Sequence, residues 1–163
     1  MVLIDTREKP AAIRGIRKYF DEHGIAYKLR KLDTGDYMLE DHPELIIDRK
    51  QTISELAKNV GTKDRERFKR EIIRAREAGS HLIILVEQNR YQDRGEWIHV
   101  EKIADLIRWS SPHTMVTGER LFRILVSWSA KYAISVEFCD KRSTGRKIHE
   151  ILSQGQIEAH RGI

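Results

Sequence analysis

Asp48, Arg49 and Lys50 close the apolar run Leu45-Ile46-Ile47. Three strand-forming residues lead directly into a carboxylate, a guanidinium and an ammonium, so a strand here delivers charged groups to the edge of a sheet. Residues two apart on a strand share a face, so Asp48 and Lys50 point together and Arg49 points away. Upstream, Gly35-Asp36 follows the turn-like Asp33-Thr34 and leads into Tyr37-Met38-Leu39. A hairpin turning through residues 40–44 brings Asp36 beside Asp48. Two carboxylates and a lysine can hold a hard divalent cation such as magnesium and activate a water beside a phosphodiester. A lone Asp-x-Lys is more often a surface ion pair, so the reading depends on what surrounds it.

The rest of the composition narrows the class. A chain of 163 residues holds one domain of ordinary size, spanning 1–163. Apolar residues at 40% and charged residues at 34% describe a globular chain with a heavily charged surface. No apolar run approaches the ~18 residues that suggest a membrane span, and Val2-Leu3-Ile4 followed by Asp5 does not read as a signal peptide. A cytoplasmic location is therefore expected. Cys139 stands alone, which excludes an internal disulfide framework and a CxxC pair, and the seven histidines show no HExxH spacing, so zinc has little support. The net charge of +5 favours a polyanionic partner, although an anionic membrane surface would also fit.

The positioning elements follow from periodicity. Ile13, Ile16 and Phe20 predict a helix over about 11–23, closed by Gly24, between a strand at Val2-Leu3-Ile4 and a second at 25–32. With the Asp36 and Asp48 strands these read as an antiparallel meander. Ile53, Leu56, Ala57 and Val60 predict a short helix to Gly61; Asp64 is placed to cap the next, whose stripe is Phe68, Ile72, Ala75 and Gly79. Between Lys58 and Arg76 there are eight basic and three acidic residues, an excess of five. A charged helix face is usually only solvated, but the proximity to Asp48 makes Arg65, Arg67, Lys69, Arg70 and Arg74 candidate nucleic-acid contacts. Leu82 to Val86 reads as a strand covered on both faces, residues 88–96 as a loop, and 97–109 as a helix. A helix with the face Leu121, Leu125, Trp128 and Tyr132, a strand at Ile134-Val136-Phe138 and a last helix through Ile148, Ile151 and Leu152 complete the chain. Its C-terminal aromatics read as core or dimer surface rather than as base-stacking platforms.

Taken in order, Ile4-Asp5-Thr6-Arg7-Glu8, Thr34-Gly35-Asp36-Tyr37, Ile47-Asp48-Arg49-Lys50 and Arg67-Phe68 resemble the nuclease domain of the XPF/ERCC4 family, with its GD…ERK signature. The likeness runs from about residue 2 to residue 152 and is nearest to the compact stand-alone proteins of phages and prophages. It implies an α/β restriction-endonuclease-like (PD-(D/E)xK) fold, with a central mixed sheet flanked by helices, and Mg2+- or Mn2+-dependent cutting of branched or flapped DNA. By the same likeness Asp36 and Asp48 bind metal, Lys50 orients or activates water, and Arg49 fixes the site or a phosphate. Asp5, Arg7 and Glu8 are accessory, with Asp5 or Glu55 as a further metal ligand. Two departures stand out: the family's glutamate in ERK is Asp48, and its later acid falls on Ser54, one position before Glu55. No tandem helix-hairpin-helix module is expected in residues 153–163.

Two rival readings share this fold class: a catalytically silent DNA-binding or scaffold subunit, and a restriction-type endonuclease acting on linear duplex DNA. Silent subunits tend to lose the acid or the lysine, and this chain keeps Asp36, Asp48 and Lys50. Phe122 lies off the Leu121-Leu125-Trp128 stripe, which predicts a homodimer drawing on residues 97–138. Pairing through C-terminal helices is also what the family likeness implies.

Overall fold

A computed structural model describes the backbone of residues 1–161 and the side chains of residues 1–156; the last two residues of the expected 1–163 domain lie outside it. A six-stranded mixed sheet runs in the order β2-β1-β3-β4-β5-β8. Its strands are β1 (Val2–Ile4), β2 (Tyr27–Leu29), β3 (Tyr37–Leu39), β4 (His42–Lys50), β5 (His81–Val86) and β8 (Ser135–Phe138). Helices α1 (Arg14–Glu22) and α5 (Thr144–Arg161) cover one face, and α2 (Ile53–Gly61), α3 (Arg65–Glu77) and α4 (Gly118–Tyr132) the other.

Strand β5 shows why the sheet is covered twice. Leu82, Ile84 and Val86 join the cluster formed with α2, α3 and α4, while Ile83 and Leu85 join the cluster formed with α1 and α5. Alternation sends successive side chains to opposite layers, so a continuously apolar strand needs two cores.

The first strands do not form the expected meander. β1 pairs with β2 in parallel and with β3 antiparallel, so it lies between them. The reason is α1: a helix between two strands returns the chain in its starting direction, and the next strand lies parallel. The loop after β2 then crosses to the other edge of β1. The expected pairing of β3 and β4 is present, antiparallel with Tyr37 opposite Ile47, but the turn is shorter than residues 40–44: Leu39 already pairs with His42, where β4 begins.

Residues 88–99 depart further from expectation. They form a two-stranded ribbon of β6 (Arg90–Asp93) and β7 (Glu96–His99) rather than a loop leading into a helix. Arg94 (φ 51°) and Gly95 (φ 80°) both take left-handed backbone, the geometry of a tight two-residue hairpin turn. An arginine at the first position hides that turn from sequence. Of the helix expected over 97–109, one 3-10 turn remains at Ile103–Leu106. At α3, Asp64 sits at the N-cap but takes helical backbone and makes no side-chain cap; its carboxylate instead lies 3.9 Å from Arg67.

Candidate active site

Where β1 and β4 end and β3 begins, the sheet presents a cleft of about 470 Å³. Gly35 makes it possible for Asp36 to reach that edge. Its φ is +71°, and a Cβ there would overlap Ile46 Cγ2, so only glycine accommodates both the backbone and the close approach. The Asp36 N–H donates to Ile47 O at 2.8 Å, and the Asp5 N–H donates to Asp36 O at 2.8 Å. Asp36 thus continues the ladder between β1 and β4, and its Oδ2 accepts the Arg49 N–H at 2.7 Å.

The alternation of β4 sorts the charged triplet. Lys50 falls on the α3 side, its Nζ 3.0 Å from Asp48 Oδ1 and 4.4 Å from the Phe68 ring centroid. Asp48 and Lys50 are both buried, yet both line the cleft. Burial alone lowers the lysine, but the charge and hydrogen bond of Asp48, then Asp36 and Glu55, outweigh it and the net shift is upward. Lys50 is therefore held as ammonium, a donor rather than a proton acceptor. Asp36 is raised well above the usual carboxylate range, first by burial and then by the charges of Asp48 and Glu8.

Arg49 falls on the opposite face and ties the site together. Its Nε and Nη2 donate to the two oxygens of Glu8, each at 2.8 Å, and its Nη1 donates to Glu87 Oε1. The other Glu87 oxygen accepts the Thr144 hydroxyl at 2.7 Å. Four parts of the fold meet here: the segment after β1, β4, the end of β5 and the start of α5. Burial lowers the guanidinium's affinity for its proton, but bonding to Glu8 and the charges of Glu8 and Glu87 raise it by more. A bidentate, doubly paired arginine holds its geometry, and losing either acid would leave a buried charge short of a partner.

The remaining expected residues divide. Asp5 is fully buried; its Oδ1 accepts the Leu32 N–H at 2.8 Å and its Oδ2 accepts Arg7 Nε at 2.5 Å. Arg7 also donates to Leu32 O at 3.0 Å, so this pair pins the loop that precedes Asp36. Glu55 lines the cleft with its Oε2 accepting the Gln51 N–H at 2.7 Å, whereas Ser54 stands outside it. No group of three His, Cys, Asp or Glu side chains within reach of one metal ion occurs among the described residues, so Asp5 and Glu55 are not brought into a set with Asp36 and Asp48. Of the basic helix, Arg74 lines the cleft and Arg67 and Arg70 are exposed. Arg65 and Lys69 turn instead toward α4, each with its charge 5.9 Å from the Trp128 ring centroid.

The ERCC4 domain family matches residues 4–150. This chain belongs to that family. XPF from Aeropyrum pernix superposes with a TM-score of 0.64 at 18% identity, over 94% of this chain and 60% of that one. XPF from Aeropyrum pernix in complex with DNA gives 0.66 at 18% identity, over 96% and 65%. This chain therefore spans about 60–65% of those chains' length, and the shared fold is the restriction-endonuclease-like one. No curated protein sequence matches it.

Three side chains of this ERCC4 domain site escaped sequence reasoning. Glu87 carried a usable signal, since it follows the apolar run Leu82–Val86 as Asp48 follows Leu45–Ile47. Glu71, which lines the cleft from within the basic helix, and Thr144, more than fifty positions from Glu87, carried none.

Proposed function

We propose that this chain is a single nuclease domain: a structure-selective endodeoxyribonuclease using Mg2+ or Mn2+ at Asp36 and Asp48. The observation that carries the reading is the crowding of these two carboxylates, with the Lys50 ammonium, on the floor of an open cleft. Burial and the neighbouring charge of Asp48 hold the Asp36 carboxyl well above the usual carboxylate range, and a bound cation relieves that strain. Two acids suffice for magnesium, which keeps waters and takes phosphate oxygens as further ligands. The cation would supply charge stabilisation at the phosphorus and help ionise the attacking water.

This chain's own residues would do the rest. Lys50, held as ammonium beside Asp48, would orient the water and neutralise charge on the attacked phosphate. Arg49 would fix β4 against Glu8 and Glu87 so that Asp48 and Lys50 keep their angle. Asp5 and Arg7 would hold the 31–35 loop, and Glu55 would hold the start of α2. Arg67, Arg70 and Arg74 would take the DNA backbone beside the cleft, consistent with similarity to an XPF solved in complex with DNA. Hydrolysis forms one P–O bond from water and breaks one in the strand.

Incubation with magnesium and a panel of flap, fork, four-way and linear DNAs is the test. Branched substrates should be cut and linear duplex left largely intact. Asp36→Ala and Asp48→Ala should each slow cutting by at least about 100-fold while a gel shift shows DNA binding retained. Near-native cutting by either variant would overturn the site assignment, and preferential cutting of linear duplex would favour a restriction-type enzyme. Binding without any cutting would favour a silent scaffold.

A further inference from the structure

The β6–β7 ribbon sorts its side chains by face. Tyr91 pairs with Ile98, and Asp93 with Glu96, on one side; Arg90 pairs with His99, and Gln92 with Trp97, on the other. On the first side Tyr91 is buried and Ile98 packs on the core. Both acids there are bound by Arg108, at 2.7 Å to Asp93 and 3.1 Å to Glu96. The opposite face is entirely exposed and has no acid of its own. Glu101, just beyond the strand, lies 3.5 Å from His99.

Trp97 on that outer face is 57% exposed and belongs to neither hydrophobic cluster. The Arg90 guanidinium lies 4.5 Å from its ring centroid. A guanidinium on one face of an indole braces the ring and adds positive charge beside it, which suits a nucleobase and its phosphate.

The ribbon is rooted at the cleft. The Glu87 N–H donates to Lys50 O at 2.8 Å. Gln88 accepts the Ile53 N–H, the first of α2, at 2.9 Å and donates to Arg90 O at 2.9 Å. Gln92, opposite Trp97, is four residues beyond this root and so at most roughly 14 Å from it, the rise of about four base steps of DNA.

We infer that the outer face of the ribbon is a docking surface for an unpaired DNA strand, with a base stacked on Trp97 opposite Arg90. The reading rests on the proposed nuclease function for its choice of DNA, and it names the single-stranded arm as the part of a branched substrate that this face takes. Duplex DNA, whose bases are already stacked, offers the indole nothing comparable.

The test is a titration with a single-stranded oligothymidylate, against the corresponding duplex, in EDTA. Trp109 and Trp128 are 5% and 2% exposed, so quenching of tryptophan fluorescence reports on Trp97. Saturable quenching by the single strand and little by duplex is expected. Trp97→Ala should weaken oligothymidylate binding roughly 5- to 150-fold by anisotropy of a labelled strand. Trp97→Phe should lose the quench yet bind within about threefold of the native chain, since a ring remains to stack on. Absent quenching, equal quenching by duplex, or unchanged affinity in Trp97→Ala would overturn the proposal. So would a drop from dimer to monomer mass in that variant, which would assign the ring to a second copy of the chain. The assay needs no cleavage, so its failure leaves the Asp36 and Asp48 tests standing, and their failure leaves it standing.

Discussion

Asp36 carries a conflict between binding and folding. Burial, then the charges of Asp48 and Glu8, raise its carboxyl well above the ordinary value, against the opposing pull of the Arg49 N–H and Lys50. A group whose affinity for protons is raised by folding contributes stability that is complete below its unfolded pKa. That contribution is lost as pH rises through the folded value. Wherever no cation is bound, Asp36 therefore leaves the fold weaker at high pH than at low pH. Asp36→Asn should raise Tm at pH 8 and have little effect near pH 3, by about 2–4 °C for each kcal/mol relieved. The amide oxygen can still accept the Arg49 N–H. Magnesium should raise Tm of the native chain by more than that of the variant. A thermal melt in which Asp36→Asn is no more stable than native at pH 8 would remove this account.

At the scale of the element, α3 is two helices in one. Phe68, Ile72 and Ala75 face the core, Arg65 and Lys69 lean on Trp128, and Arg67, Arg70 and Arg74 stand exposed. Arg67 sits 3.9 Å from Asp64 while 66% exposed, and so weak a surface pair leaves the charge available to phosphate. Alanine at 67, 70 and 74 should reduce the slope of log affinity against log salt by roughly 0.9 for each duplex phosphate no longer neutralised. Alanine at 65 and 69 should lower Tm and leave that slope nearly unchanged, because those side chains cover an aromatic surface. Equal slopes in the two variants would mean that α3 does not read the backbone in this way.

For the whole molecule, the proposed function requires one cleft to select a branched substrate. α4 buries Leu121, Leu125 and Trp128 and leaves Phe122 half-buried and Val126 45% exposed, one turn apart. Its first turn packs against the segment ending at Trp109, where the Gly118 N–H donates to Trp109 O at 2.8 Å, and Ile107 in that segment is 46% exposed. Exposed apolar groups on adjoining elements suit a self-complementary two-fold face. A homodimer through this part of residues 97–138 would set two clefts on one DNA. Light scattering at micromolar concentration should give about twice the chain's 19.1 kDa, and Ile107→Glu with Val126→Glu should return it to monomer. A native mass near 19.1 kDa, with and without branched DNA and after allowing for the DNA, would refute the dimer.

Local order along the chain was enough to place Asp36 and Asp48 on neighbouring strands, Lys50 on the same face as Asp48, and helices after Lys50 and Asp64. Strand alternation and helix periodicity are short-range rules, so they apply to residues before any fold is known. Tertiary structure decided what those rules do not reach. It inserted β1 between β2 and β3, because that depends on where a returning helix sets the chain down. It turned Asp5 and Glu55 to backbone N–H groups, because a carboxylate's partner is whichever donor the folded chain brings near. It joined Arg49 to Glu87 and Thr144, residues far apart in sequence whose pairing exists only once β5 and α5 have docked. It also separated Trp97 from the core aromatics, since a hairpin turn at Arg94-Gly95 sent that indole to solvent while Trp109 and Trp128 were buried.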